Sequence, residues 1–158
     1  MHNHKDDSYE CPICIATQGG ECEGKWIKQS DVFYKDDLVM GFIGSKVIKG
    51  NEHHPLIVPL GHIENLYDLP AEVGYRIMDV ARRVALALKD VRQADGVTVL
   101  QNNEPAGDQH AFHYHHHIIP RFDGDHFHEE RMTKVVSDPN DRIAPATALK
   151  EWFQKHPR

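Results

Sequence analysis

The stretch Phe112-His113-Tyr114-His115-His116-His117-Ile118-Ile119-Pro120-Arg121 decides how the rest of this chain is read. Aromatic and β-branched residues with a closing proline mark Phe112 to Pro120 as a strand. Side chains of a strand alternate between its two faces. His113, His115 and His117 therefore share one face, with neighbours about 7 Å apart. Tyr114, His116 and Ile118 take the other. Three imidazoles in register are a poor structural choice, because buried polar groups need partners. A solvated strand face or adventitious metal affinity is the plain alternative. Imidazole has three chemical uses: it binds metal, shuttles protons or attacks phosphorus.

Working outward, four more strands precede this one. Asp31 to Lys35 and Leu38 to Ile43 read as a hairpin around the turn-like Asp36-Asp37, and Pro55 to Pro59 is a short apolar strand. Gly96 to Leu100 is the fourth. Between them lies the clearest helix, Leu69 to Lys89, with Asp68 as N-cap and Pro70 in the first turn. Its apolar residues Val73, Ile77, Val80, Val84 and Leu88 recur every three or four positions. Ala146 to Gln154 reads as a short closing helix. Residues 1–10 and Gly19 to Gly24 read as loop, the former as a flexible N-terminus. Short loops around one long helix argue a single α+β domain over 1–158, with an antiparallel five-stranded sheet and a C-terminal extension over 122–158.

Composition narrows the classes. The chain has 158 residues, 40% of them hydrophobic, room for one domain with a real core. Its net charge of −6 does not advertise nucleic-acid binding. No apolar run is long enough for a membrane span, and the polar start MHNHKDDSYE lacks a signal-peptide core, so a cytoplasmic location is the expectation. Seven of the 13 histidines lie between His110 and His128. A purification tag would be an uninterrupted terminal run, whereas these are internal and interleaved with apolar residues. The three cysteines are an odd number, and Cys11-Pro-Ile-Cys14 suggests a metal or redox pair rather than a disulfide framework. Cys22 reads as an ordinary loop thiol.

The segment from Asn102 to Arg121, with its Gly107/Gln109 loop before alternating histidines, resembles the signature of the histidine-triad (HIT) family. His54-Pro-Leu-Ile-Val-Pro59-Leu-Gly-His62 is similar to that family's second block. With Cys11 and Cys14 in front, the resemblance runs from about residue 11 to 121. It implies a HIT-like α+β fold, a homodimer, and hydrolysis or transfer of nucleotidyl groups on a nucleotide-like substrate. It makes His115 the nucleophile, forming a covalent phosphoramidate that water then releases. By the same resemblance His117 contacts the transferred phosphoryl group and His54 faces the pocket. Gln109 is the phosphate-contacting glutamine. Asn102 or its neighbour Asn103 is the pocket asparagine. Donors so placed act where negative charge develops.

Three positions depart from the family pattern. His116 replaces an apolar residue and points off the catalytic face. His110 stands where Ser or Thr is common, and is a stronger general acid near neutral pH. Gly44 stands where nucleotide-binding members often carry an Asp that holds the ribose. For the Cys11-x-x-Cys14 half site, the resemblance supplies His62 and His113 as partners. Two thiolates and two imidazoles with no open position make a structural zinc site. The same dipeptide pair also resembles a glutaredoxin-type motif, but it follows ten polar residues rather than a strand.

Two other classes compete. Gly107, His113 and His115 match the opening of a cupin metal motif, which then wants a Glu where Ile119 and Pro120 stand. A non-enzymatic zinc module is the other, although the long gap between Cys14 and His62 is wrong for a finger. Both make His115 a metal ligand, whereas the HIT reading leaves it metal-free.

The wide apolar spread Val80, Val84, Ala85, Ala87 and Leu88 on the long helix suggests a second buried face, consistent with a dimer.

Overall fold

The computed structural model describes residues 2–130 and 135–157. Its elements in chain order are α1 (Pro12–Thr17), β1 (Val32–Lys35), β2 (Val39–Ile43), β3 (Lys46–Val47), β4 (Pro55–Pro59), α2 (Ala71–Arg92), β5 (Gly96–Gln101), β6 (His116–Arg121), α3 (Phe127–Glu130), β7 (Val135–Val136) and α4 (Pro139–Lys155). Five strands form one sheet in the order β1-β2-β4-β6-β5, and every neighbouring pair is antiparallel. The two-residue strands β3 and β7 pair separately. This is the α+β sheet-and-helix fold expected from the sequence. No helix among the described residues is long and apolar enough to cross a membrane.

The central strands are buried on both faces, which is why β2 and β4 are apolar at every position rather than alternating. Alternation still sorts their side chains. Val39 and Ile43 of β2, Ile57 of β4 and Ile118 of β6 join Ile77, Val80, Val84 and Leu88 of α2 and Leu149, Trp152 and Phe153 of α4 in the main core. Met40, Phe42, Leu56 and Val58 face the other way, onto Cys11, Ile13 and Ala16 at α1. The second face is thus only partly covered by α1, and the remainder forms the floor of a cavity.

Three sequence expectations need correction. The fifth strand begins at His116, not Phe112. Before it, the His113 amide turns back to the Ala111 carbonyl and the Tyr114 amide bonds to Ile63, so residues 112–115 follow the His62 loop instead of a ladder. The closing helix is not short: α4 starts at Pro139 under the Asp138 cap and runs 17 residues through Pro145. Finally, Val80, Val84, Ala87 and Leu88 are all buried within one chain, and Ala85 packs against the same cluster. The sheet and α4 together account for that width, so these residues do not require a partner subunit.

Candidate active site

The β6 register places Leu56 and Leu100 on either side of His117, on the sheet face away from α2. Because β4 and β6 are antiparallel, His54 just before β4 and His115 just before β6 come from opposite ends of the pair and flank His117, their ring centroids 5.2 and 5.0 Å from its own. A cavity of about 220 Å³ opens there, lined by His54, His115 and His117, by Asn102 and His110, and by an apolar wall that includes Trp26, Phe42 and Leu56. Lys46 lines it too. Sequence reasoning missed Trp26 and Lys46, which sit in segments without periodicity.

Hydrogen bonds assign the ring nitrogens. His115 Nδ1 lies 2.7 Å from the His113 carbonyl oxygen. A carbonyl only accepts, so Nδ1 carries the proton and Nε2 holds the lone pair. Burial pushes the His115 pKa below the ordinary imidazole value, against the carbonyl bond, which raises it. The ring is therefore neutral at pH 7. His54 Nε2 and His117 Nδ1 are 3.0 Å apart, and His54 Nδ1 is buried without a partner among the described residues. The consistent arrangement has His54 Nε2–H donating to His117 Nδ1, with the proton of His117 on Nε2. Burial, then the charge of His115, lowers His54 to about 4, and burial holds His117 well below 6.5. The His115 and His117 rings meet edge to face at 5.0 Å between centroids.

The other sequence candidates divide. Asn102 lines the cavity, its Nδ2 holding the Asp108 carbonyl at 3.3 Å. Asn103 does not line it: its Oδ1 accepts from the Leu66 amide and its Nδ2 donates to Gln101. Gln109 is also turned away. Its Nε2 donates to the Glu64 carbonyl at 2.6 Å and its Oε1 accepts from the Glu104 amide at 2.7 Å, so it shapes the loop that carries His110. A Cβ at Gly44 would lie 2.4 Å from Leu56 Cδ1 and 3.3 Å from His54 Nε2, so Leu56 already fills the space of a side chain there.

Beside the cavity, Cys11, Cys14, His62 and His113 bring their donor atoms within 4.8 Å of one another. Cys14 Sγ is 3.2 Å from His62 Nδ1, and Cys11 Sγ is 3.4 Å from His113 Nδ1. A tetrahedral ion with Zn–S near 2.3 Å and Zn–N near 2.0 Å needs donors roughly 3.5 Å apart. His113 Nε2 lies 3.0 Å from the Pro59 carbonyl and so donates to it, which aims the Nδ1 lone pair at the thiols. Cys11 caps α1, so that short helix presents both thiols from one turn. With thiols alone there, burial pushes Cys14 up to about 12. The donor set fits zinc, whose charge would deprotonate them.

A pocket lined by three histidines beside a Cys/His cluster, on a five-stranded antiparallel sheet, defines the class. The chain belongs to the HIT domain family, whose model matches residues 27–124. It is 38% identical over 90 residues to protein hit of Bacillus subtilis, a segment covering 56% of this chain and 60% of that protein. It is 40% identical over 72 residues to adenosine 5′-monophosphoramidase of Saccharomyces cerevisiae, covering 46% of this chain and 43% of the yeast protein. The chain thus matches less than two thirds of either relative. Among solved structures, a Zn-bound histidine triad family protein from Mycobacterium smegmatis superposes with a TM-score of 0.71 at 26% identity, covering 92% of this chain and 94% of that one. The cupin reading fails on this fold, and His115 stands outside the metal-type cluster.

Proposed function

We propose that this protein cleaves a nucleotide-like phosphoramidate or phosphoanhydride through a nucleotidyl group carried on His115. The observation that carries the reading is the 2.7 Å bond from His115 Nδ1 to the His113 carbonyl, which leaves a buried neutral Nε2 at the cavity. That lone pair attacks phosphorus and forms an N–P bond. The bond from phosphorus to the leaving group breaks, and the leaving group takes its electron pair together with a proton from His110. His117 Nε2–H donates to a phosphoryl oxygen as charge builds there, while His54 holds His117 in that tautomer. Water then attacks phosphorus and yields a proton to His110. The N–P bond breaks, its electrons return to Nε2, and the nucleotide departs. Asn102 borders the same pocket, while Gln109 and Asn103 hold its loop.

The activity of the yeast relative makes adenosine 5′-phosphoramidate the first substrate to try. Release of AMP and ammonia, with a nucleotidyl adduct mapped to His115 by mass spectrometry after rapid acid-free quenching, is the expected result. No turnover and no adduct across phosphoramidates and dinucleoside polyphosphates would favour a non-enzymatic zinc module. We also infer that the Cys11, Cys14, His62 and His113 cluster holds a structural zinc, since it offers four protein donors and no open position.

A homodimer is part of the same reading. Tyr75, Met78 and Leu86 lie on one exposed face of α2, and β5 is a sheet edge with Val99 exposed. Light scattering should give a mass near two chains of 18.1 kDa. A single-chain mass at micromolar concentration would reject it.

A further inference from the structure

Arg142 is the largest side chain with no solvent exposure among the described residues. It lies in α4, beyond the residues that match the family model. Its Nε donates to Asp31 Oδ1 at 2.9 Å, and both side chains of that pair are fully buried. Nη2 donates to the Trp26 carbonyl at 2.9 Å. Nη1 donates to the Ser137 carbonyl and hydroxyl at 3.0 and 3.2 Å. The bonds continue on both sides. Asp31 Oδ2 accepts from the Lys28 amide, and the Ser137 amide and hydroxyl both donate to the Ser45 carbonyl.

Trp26 and Ile27 form one lip of the cavity, and Ser45, Lys46 and Val47 form another. Neither lip has much structure of its own. Residues 24–28 are irregular, and the second lip ends in β3, whose only strand partner among the described residues is the two-residue β7. Pairs that short are marginal without other support. One guanidinium therefore ties the backbone of both lips to a long helix packed in the main core. Its planar fork spans three separate acceptor segments, which an ammonium cannot do. An apolar contact would secure α4 at no less stability, because burying an ion pair costs desolvation. What only the fork supplies is a fixed distance between the lips.

We propose that Arg142 is a positioning residue for the substrate: it sets the width of the cavity mouth by bracing the Trp26 lip against the Ser45–Val47 lip. This rests on the reading of the cavity as the substrate pocket. The test combines amide hydrogen exchange with steady-state kinetics on the full chain. The paired variant Asp31→Leu with Arg142→Met leaves no buried charge alone. Exchange should quicken about 10-fold at 26–31 and 45–47 and stay unchanged in α2 and β6. KM for adenosine 5′-phosphoramidate should rise about 10-fold with kcat within about 2-fold. Arg142→Lys should restore melting temperature, through Asp31, but not KM. Ser137→Ala removes only the hydroxyl relay, so it folds whatever becomes of the pair. It should quicken exchange at 45–47 alone, by about 3-fold. Should the enzyme turn over nothing, lip exchange and the calorimetric affinity for AMP still report on the brace. Wild-type lip exchange in a folded paired variant overturns the proposal. So does a uniform rise across the sheet, a fall in kcat at constant KM, or, if the pair does not fold, an unchanged Ser137→Ala protein.

Discussion

His113 and His115 sit two residues apart, on one side of the chain, and both are buried. Yet one points a lone pair at two thiols and the other at an open cavity. The difference lies in which nitrogen the backbone occupies. At His113 the Pro59 carbonyl takes Nε2, leaving Nδ1 for the cysteines. At His115 the His113 carbonyl takes Nδ1, leaving Nε2 for the pocket. Residue type and spacing say that both rings can work. The carbonyl opposite each one says what the work is.

The comparison breaks most sharply at His115, the proposed nucleophile. His115→Ala should lower turnover at least about 10⁴-fold, since loss of a nucleophile in a covalent mechanism is among the largest single effects known. Melting temperature should barely move, because the ring's bonds are to its own neighbour's carbonyl. His113→Ala should do the reverse and strike stability first. Cys14→Ser, or removal of metal by a chelator, should likewise cost several kcal/mol of stability, because metal-binding energy is folding energy. Atomic absorption should find about one zinc per chain in the wild type and a small fraction of that in the variant. A metal-free protein with an unshifted melting temperature would make the cluster incidental and His113 merely a spacer.

The two histidines were equally visible in the sequence, and so was the strand they lead into. Alternation around Tyr114 and Ile118 is a short-range signal that survives even where residues 112–115 leave the ladder. The carbonyls of Pro59 and His113 were not visible, because backbone acceptors carry no residue type. For the same reason Gln109 and Asn103 read as pocket residues while their amides are spent on loop backbone. The start of α4 did have a signal, Asp138 as cap with Pro139 at the first helical position. Pro145, six residues further on, ordinarily ends a helix and hid it. Arg142 was hidden with it, since nothing local tells a buried arginine from an exposed one.

A smaller effect should separate His110 from His115 within the same pocket. His110 is exposed at the cavity rim and close enough for its charge to lower His115. Acting as general acid, it matters only when the leaving group needs a proton. His110→Ala should slow an alkylamine leaving group about 100-fold and a nitrophenolate less than about 3-fold. Equal losses for both would assign it to positioning, and no loss would leave it a loop residue.

The smallest effect belongs to His116, which lies between His115 and His117 and shares neither job. Its ring stacks on Tyr114 across the sheet from the cavity, Nδ1 lies 3.3 Å from the tyrosine hydroxyl, and Nε2 is buried without a partner among the described residues. Replacing it with Leu keeps the volume and removes that orphan nitrogen. Stability at pH 7.5 should change by less than about 1 kcal/mol, with a gain the expected sign. Burial lowers the pKa of His116 below 6.5, so the unfolded chain takes up the proton first as the solution is acidified. The wild type therefore loses this part of its stability as pH falls below about 6.5, whereas His116→Leu does not. Urea titrations at pH 7.5 and 5.5 should show a shallower decline in the variant, and turnover should stay within about 2-fold. An identical decline would mean that His116 is already solvated in the native state. A large loss of turnover would mean that the two faces of β6 are coupled, and that the backbone carbonyl of His113 is not enough to set the register of His115.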